Sequence, residues 1–200
     1  MSTAQTGLPV AGSTPPERGD AARNRALLLD AARRLIAEHG PDAVTMDAVA
    51  SAAGVGKGTL FRRFGSRSGL MLVLLDEDEK DLQQSFMFGA APLGPGAPPL
   101  DRLLAYGRRR LQFTWTHRAL LSDAARDPQS RYGPAAAVQH THVRLLLQFS
   151  GTTGDLDAQA AALLALLDVD YVTHQHDVLG RALPAQGDAW ETLARKLCGV

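Results

Sequence analysis

The chain has 200 residues, enough for one compact domain or for a small domain followed by a larger one. Its single cysteine, Cys198, excludes an intrachain disulfide and a multi-cysteine metal cluster, and no apolar run approaches the ~20 residues of a membrane span. Charge is balanced overall but not along the chain: residues 1–75 hold nine Lys and Arg against six Asp and Glu, and residues 76–200 hold twelve against fifteen.

Residues 1–20 are small, polar and proline-bearing, which predicts a disordered arm. This stretch lacks a basic region followed by an apolar core, so it does not resemble a signal peptide. We therefore expect a cytoplasmic protein.

Two helices are predicted next in the basic part of the chain. Residues 23–39 repeat apolar side chains at three- and four-residue spacing, which indicates an amphipathic helix ending at Gly40. Thr45 precedes a second apolar run, and its hydroxyl can accept from an amide of the first helical turn. Gly54 can take the left-handed conformation that stops this short helix.

A third helix is predicted over residues 57–64, with Leu60 and Phe64 on one inward stripe. The outward face carries small, polar and basic residues: Lys57, Gly58, Thr59, Arg62 and Arg63. Two short helices joined by a glycine turn are typical of a helix-turn-helix, whose second helix meets base edges in the major groove. A helical hairpin with a solvated basic face is the alternative interpretation.

The segments AARRLIAEHG and TMDAVASAAGVGKGTLFRRFGSRSGL occur in this order between residues 31 and 70. Over residues 23–75 the sequence resembles the N-terminal domain of TetR-type bacterial transcriptional repressors. The resemblance implies a three-helix DNA-binding domain at residues 21–69, and a helical domain for ligand binding and dimerisation at residues 70–200.

The resemblance also implies which residues contact double-stranded DNA. Thr45 and the backbone of Met46 would hold a phosphate at a helix N-terminus, where free amides and the helix dipole favour an anion. Lys57, Gly58 and Thr59 would face base edges, and Lys57 suits the acceptors of guanine.

Other positions depart from the family pattern. Phe61 stands where the family usually has a tyrosine, which leaves an apolar contact with a sugar or a thymine methyl group. Arg62 and Arg63 replace a frequent aromatic residue and histidine, which should strengthen phosphate binding. Arg67 stands where the family places a phosphate-binding lysine, and Gly56 gives the third helix a weaker cap than Ser or Thr.

Helical periodicity continues after the basic part without a strand pattern of useful length, so the predicted fold is all-α. The remaining predicted helices are 70–88, 100–121, 134–149, 156–179 and 188–197, and a Pro- and Gly-rich loop is predicted over 89–99.

Dimerisation is expected because a single DNA-binding domain with an excess of only three positive charges would bind DNA weakly. Residues 156–179 are apolar around most of the circumference, and with residues 188–197 they could form half of a four-helix interface with a second subunit. The resemblance implies the same arrangement. The centre of a monomeric bundle is the alternative interpretation.

A pocket for a small-molecule effector is expected among the aromatic residues of the middle helices. The candidates are Phe86, Phe88, Tyr106, Phe113, Trp115 and Phe149, with Met87 beside them. Each residue alone would equally suit a core. Arg108, Arg109 and Arg110 could bind an anionic effector, but successive helical residues point in different directions, so at most two can turn inward.

Two His-x-His pairs, His140 with His142 and His174 with His176, raise the question of a metal site. Residues two apart lie roughly 200° apart around a helix, so one pair cannot chelate a single ion. A site built across two helices is the remaining possibility. Because no Gly-rich phosphate loop, G-x-S-x-G or H-E-x-x-H is present, we expect no metal, no cofactor and no enzymatic activity.

These patterns together favour a homodimeric regulator that represses transcription from a palindromic operator and is released by a small-molecule effector. One alternative is a DNA-binding protein whose C-terminal part only dimerises. The other is a helical small-molecule or metal-binding protein without a role in DNA regulation.

Overall fold

In the computed structural model, residues 16–40, 43–124 and 134–200 are described. These ranges contain ten α-helices and no β-strand, which confirms the predicted all-α fold. The helices are α1 Pro16–His39, α2 Met46–Ala53, α3 Lys57–Phe64, α4 Arg67–Phe88, α5 Pro99–Thr116, α6 Arg118–Ala124, α7 Pro134–Phe149, α8 Leu156–Ala165, α9 Val169–Asp177 and α10 Leu183–Leu197. None of these helices is long and apolar enough to cross a membrane.

The chain divides into two compact units, residues 1–74 and 75–200. We call them the head and the body. The boundary falls within α4, slightly after the boundary between residues 69 and 70 that the sequence suggested.

In the head, α2 packs against both α1 and α3. Its core is formed mostly by small and aliphatic side chains, with one aromatic ring: Leu28, Leu29, Ala31, Ala32, Val44, Met46, Val49, Ala50, Leu60, Phe64, Leu70, Met71 and Leu74.

Helix α5 is central to the body, where it contacts α7, α9 and α10. Gly107 of α5 lies against the ring of Trp190, a buried residue of α10. The indole N–H of Trp190 donates to the carbonyl of Leu163 in α8 at 2.8 Å. The absence of a side chain at Gly107 thus allows α5, α8 and α10 to pack around one indole.

Two arginines of α5 tie this helix to its neighbours through ion pairs. Arg108 donates from Nε to Glu191 at 2.6 Å and from Nη2 to Asp188 at 2.5 Å, both on α10. Hydrogen bonds to Glu191 and then Asp188 raise the pKa of Arg108 above its usual range. Arg110 donates to Glu79 of α4 at 2.5 Å, and both side chains are largely buried.

Several helices begin earlier than the sequence suggested. Helix α1 begins at Pro16, so residues 16–20 of the predicted arm are helical, while residues 1–15 lie outside the described ranges. Helix α4 begins at Arg67 rather than Leu70, and α10 begins at Leu183 rather than 188. Helix α10 has a proline in its first turn, where the missing backbone N–H would have no partner within the helix.

The predicted helices 100–121 and 156–179 are each wrong as single elements. The first is interrupted at His117, between α5 and α6. The second is interrupted after α8, and α9 starts anew behind Asp168, whose carboxylate accepts from the amide of Asp170 at 3.0 Å. The apolar pattern continues across this break, so periodicity alone predicts one helix. Asp168, a residue type that commonly caps a helix N-terminus, is the sequence feature that marks the new start.

Gly107→Ala tests the packing around Trp190. A methyl group at residue 107 would overlap the indole ring, and overpacking of this kind costs about 1–3 kcal/mol. We expect that loss in the free energy of unfolding by urea, followed by the fluorescence of Trp115 and Trp190, the two tryptophans of the chain. Gly96→Ala is the control, since its methyl group makes an ordinary contact and should cause no loss. Equal stability of the two variants would contradict the packing described here.

Candidate nucleic-acid interface

Helix α2 begins and ends as the sequence predicts. The hydroxyl of Thr45 accepts from the amide of Ala48 at 3.1 Å, which caps the first turn. Gly54 has a φ of 64°, in the left-handed region, and the next amide, that of Val55, donates back to the carbonyl of Ala50 at 3.0 Å. These local bonds fix the turn that leads into α3.

Helix α3 presents one buried and one exposed face. Leu60 is fully buried and Phe64 is 9% exposed. The outward residues are exposed except for Thr59, which is half-buried: Lys57, Gly58, Thr59, Arg62 and Arg63. Gly56 caps the helix without a side-chain hydrogen bond, in keeping with its departure from Ser or Thr. The helix therefore displays three cations on a surface that its inner residues hold in place.

The aromatic and apolar candidates of the head differ in exposure. Phe61 is 45% exposed, so its ring is available for an apolar contact outside the protein. The side chain of Met46 is buried, which leaves its backbone amide at the start of α2 as the group that can meet an anion. Its contact with a phosphate stays a prediction.

Lys57 forms an ion pair with Asp47, in the first turn of α2. Both side chains are more than half exposed, so the pair contributes little to stability. The sequence analysis assigned Lys57 to base edges and did not consider Asp47. An acidic residue in the first turn of the preceding helix was the signal for this contact.

Arg67 has a structural contact in addition to its predicted one. Its Nε donates to the carbonyl of Val44 at 2.8 Å, a bond between the start of α4 and the residue before Thr45. Arg67 thus holds the segment that leads into α2. Its contact with a phosphate stays a prediction.

The body brings some of the predicted pocket residues together and leaves others apart. Phe86 and Tyr106 are fully buried and their ring centres are 5.4 Å apart; Phe113 lies in the same core. Phe88 and Phe149 are 69% and 66% exposed. Phe88 is two residues from Phe86 and so lies on the other side of α4.

The other predicted pocket residues have different ring partners or are exposed. Trp115 packs on the ring of His176, with 4.1 Å between ring centres. Met87 is 45% exposed. Of the three successive arginines, Arg109 is exposed, whereas the other two are paired with carboxylates as described above.

Two residues that the pocket prediction omitted stand beside Phe86 and Tyr106. His142 stacks on Phe86 with 4.2 Å between ring centres, and it lies 5.2 Å from the ring of Tyr106. Arg102 donates from Nη2 to the carbonyl of Phe86 at 3.2 Å. Burial, and then the charge of Arg102, lowers the pKa of His142 to about 4. Arg102 lies four residues before Tyr106 and therefore on the same side of α5, which is the sequence feature that could have predicted its place beside Tyr106.

The His-x-His pair on α7 points to two sides of the helix, as its spacing predicts. His140 Nε2 lies 3.2 Å from the carbonyl oxygen of Asp157, while His142 packs against Phe86. Within residues 16–40, 43–124 and 134–200, no group of three or more His, Cys, Asp and Glu side chains is placed to hold a metal ion.

Comparisons with known proteins agree with this geometry. Residues 28–74 match the sequence pattern of the bacterial regulatory proteins of the tetR family. A helix-turn-helix transcriptional regulator of Mycobacterium tuberculosis is 30% identical over 145 residues, which are 72% of this chain and 62% of that relative. The chain therefore contains the N-terminal region of a TetR-family regulator at residues 28–74. It spans less than two thirds of the length of this relative.

Solved structures support the TetR fold over most of the chain. A transcriptional regulator from Saccharomonospora viridis in complex with choline shares 21% identity and a TM-score of 0.66, covering 87% of this chain and 96% of its own. A TetR-family regulator from Mesorhizobium loti shares 17% identity and a TM-score of 0.61, covering 90% and 96%. The segment that matches the TetR pattern contains every DNA-contact candidate: Thr45, Met46, Lys57, Gly58, Thr59, Phe61, Arg62, Arg63 and Arg67.

Thr45→Ala tests the cap that starts α2. Loss of the hydroxyl removes the bond to the Ala48 amide and should destabilise the helix by about 1 kcal/mol. The measurement is hydrogen exchange of the α2 amides, which we expect to become faster. Thr45→Ser keeps the hydroxyl and should exchange as the parent protein does. If both variants exchange alike, the cap does not hold α2 in place.

Proposed function

We propose that this chain is a DNA-binding transcriptional regulator, a homodimer that represses from a palindromic operator and is released by a small molecule. The observation that carries the proposal is the two-faced α3, whose buried Leu60 and Phe64 hold Lys57, Arg62 and Arg63 at the surface. A short helix anchored in this way fits the major groove.

The exposed face of α3 suggests how the roles divide on DNA. Lys57 and Thr59, near the N-terminus of the helix, suit base edges. Arg62 and Arg63 lie in the last turn and suit phosphates, which contribute affinity but little sequence information. Phe61 adds an apolar surface that suits a thymine methyl group or a sugar.

Dimerisation through α8 and α10 is supported by two faces of small residues. Ala158, Ala161, Ala162 and Ala165 are exposed along α8, at the spacing of one helical face. Ala185, Ala189 and Thr192 are exposed along α10, which contacts α8. Because small side chains let helices approach closely, two copies of this pair can form a four-helix interface around a two-fold axis.

Release by a ligand follows from the geometry that DNA demands. Two recognition helices bind successive major grooves only when they are about 34 Å apart. Helix α4 contains the boundary between head and body, so a ligand that shifts α4 would change this separation. The affinity for the operator would then fall by a coupling free energy of ~1–3 kcal/mol.

The choline bound by the regulator of similar fold supports a small molecule as effector in this chain too. TetR-family regulators are generally not enzymes. We infer accordingly that the body of this chain binds its effector without transforming it, and that the protein acts in the cytoplasm, where the DNA is.

Arg62→Ala tests the DNA contact. The probe is a genomic fragment that the protein retains, and its affinity is measured over a series of salt concentrations. Loss of one phosphate contact should reduce the slope of log affinity against log salt by about one unit. Lys57→Ala should instead relax sequence specificity. Arg109→Ala, an exposed arginine of the body, is the control and should change neither quantity. Unaltered binding by both head variants would refute the assignment of α3.

Ala162→Glu tests the dimer. A carboxylate at this exposed position of α8 would face its own copy across the two-fold axis, and burying two like charges there should favour the monomer. Sedimentation equilibrium should show a monomer with unchanged helix content by circular dichroism. Thr141→Glu on the exposed face of α7 serves as the control and should stay dimeric. A dimer of undiminished stability in the α8 variant would place the interface elsewhere.

A further inference from the structure

Three buried polar atoms, on side chains that each contact Phe86, have no hydrogen-bond partner among the described residues. They are the hydroxyl of Tyr106, Nε2 of His142 and Nε of Arg102. A buried polar group left without a partner costs about 1–3 kcal/mol, and native proteins hold few of them. Three such atoms in one place indicate a site that is completed by something else.

These side chains form one contiguous group, which we call the polar cluster: Arg102, Tyr106 and His142. The rings of Tyr106 and His142 lie 5.2 Å apart, and both contact the ring of Phe86. Arg102 is bound to the carbonyl of Phe86 and lies one helical turn from Tyr106 on α5. Three helices, α4, α5 and α7, thus contribute to the cluster.

Each member of the polar cluster can donate a hydrogen bond at neutral pH. Burial raises the pKa of Tyr106, so its hydroxyl keeps the proton. His142, with its pKa lowered to about 4, is neutral, and a neutral imidazole can carry its proton on Nε2. Arg102 keeps its positive charge and its Nε–H.

The charge of Arg102 lacks a counterion within the part of the chain that the structure describes. Glu79, whose charge acts on Tyr106, pairs with Arg110 and also accepts from Gln139 at 2.9 Å. Arg108 is likewise paired with acidic residues of α10. The polar cluster therefore offers three donors and one positive charge that no carboxylate of the described residues neutralises.

We propose that the polar cluster binds the carboxylate group of a small monocarboxylic acid, and that this acid is the effector of the regulator. This inference rests on the proposed function for the effect on DNA, but not for the binding itself. A carboxylate matches the parallel N–H groups of a guanidinium, and its lone pairs can also accept from Tyr106 and His142.

Other charge types fit the cluster less well. A dianion would bring a second negative charge into a buried site that holds one cation, and an uncompensated buried charge is costly. A cationic ligand such as choline would face Arg102 directly. A neutral amide of the same shape could accept a hydrogen bond but would leave the charge of Arg102 unpaired.

The first experiment titrates the full-length protein with acetate, butyrate and benzoate, and with acetamide, butyramide and benzamide as neutral counterparts, by calorimetry at pH 7. At least one carboxylate should bind saturably and at least ~10-fold more tightly than its amide, since one charge-assisted bond is worth ~1.5–3 kcal/mol. If none of the three carboxylates binds more tightly than its amide, the proposal is overturned.

Variants separate a ligand contact from a structural role. Tyr106→Phe and Arg102→Gln should each weaken carboxylate binding about 10-fold or more. Tyr106→Phe removes a hydroxyl that has no partner, so the unliganded variant should melt at the same temperature as the parent or higher. Arg109→Gln, an exposed arginine of the same helix, should bind carboxylate like the parent. A destabilised Tyr106→Phe, or equal binding by all variants, would refute the assignment.

Proton uptake gives a further readout of the site. A bound carboxylate beside His142 should raise its pKa from about 4, so binding takes up protons and affinity rises as pH falls from 7.5 to 5.5. The ionisable groups that face His142 are Arg102 and Tyr106 of α5, while Asp157 of α8 faces His140 instead. His142→Phe should abolish the proton uptake; uptake that persists in this variant would assign it to another group.

A DNA assay distinguishes failure of this inference from failure of the proposed function. Saturating carboxylate should lower the affinity for a retained genomic fragment ~5- to 150-fold in the parent and leave it unchanged in Arg102→Gln. A protein that binds DNA and ignores carboxylates would refute the polar cluster alone. A protein that binds carboxylates but no DNA would refute the regulator and leave the binding site standing.

Discussion

The burial of Leu60 and Phe64 is the contact on which the head depends. An isolated helix as short as α3 is not stable in water, because nucleation costs more than so few backbone hydrogen bonds return. Tertiary packing must hold it, and the two buried side chains do so from one face. The direction of every cation on the opposite face is therefore set by apolar packing and not by the charges themselves.

Polar contacts refine this arrangement without creating it. Arg67 fixes the segment before Thr45, and Thr45 in turn caps α2, so the start of α2 is positioned by a chain of two hydrogen bonds. Lys57 is paired with Asp47 on an exposed surface, where such a pair contributes little. A phosphate or a guanine can accordingly replace Asp47 as the partner of Lys57 at small cost. The head thus combines a fixed backbone with a lysine that can exchange its ion-pair partner, an arrangement that suits binding to DNA.

Short-range signals made the head predictable from the sequence, whereas the body depends on contacts that the sequence does not mark. Thr45, Gly54 and the pair of Leu60 and Phe64 act within a few residues of their own positions, and each behaves as predicted. The breaks at His117 and behind Asp168 interrupt helices whose apolar periodicity continues, so periodicity alone does not reveal them. For the same reason, the sequence does not show that Phe88 and Phe149 are exposed, or that Arg102 and His142 lie beside Phe86.

Arg102 is informative because it differs from the other arginines of α5. Arg108 and Arg110 both end on carboxylates of neighbouring helices, and Arg109 is solvated. The same helix therefore places its cations where each charge is neutralised or hydrated. Arg102 differs from these arginines: it is only partly exposed, it forms no ion pair with a described residue, and its Nε is buried without a hydrogen-bond partner. Its Nη2 donates to the carbonyl of Phe86 near the end of α4, but this bond leaves the charge without a counterion and Nε without a partner. The proposed carboxylate would supply both the counterion and the missing acceptor to a cation that stands beside an unpartnered tyrosine and a neutral histidine.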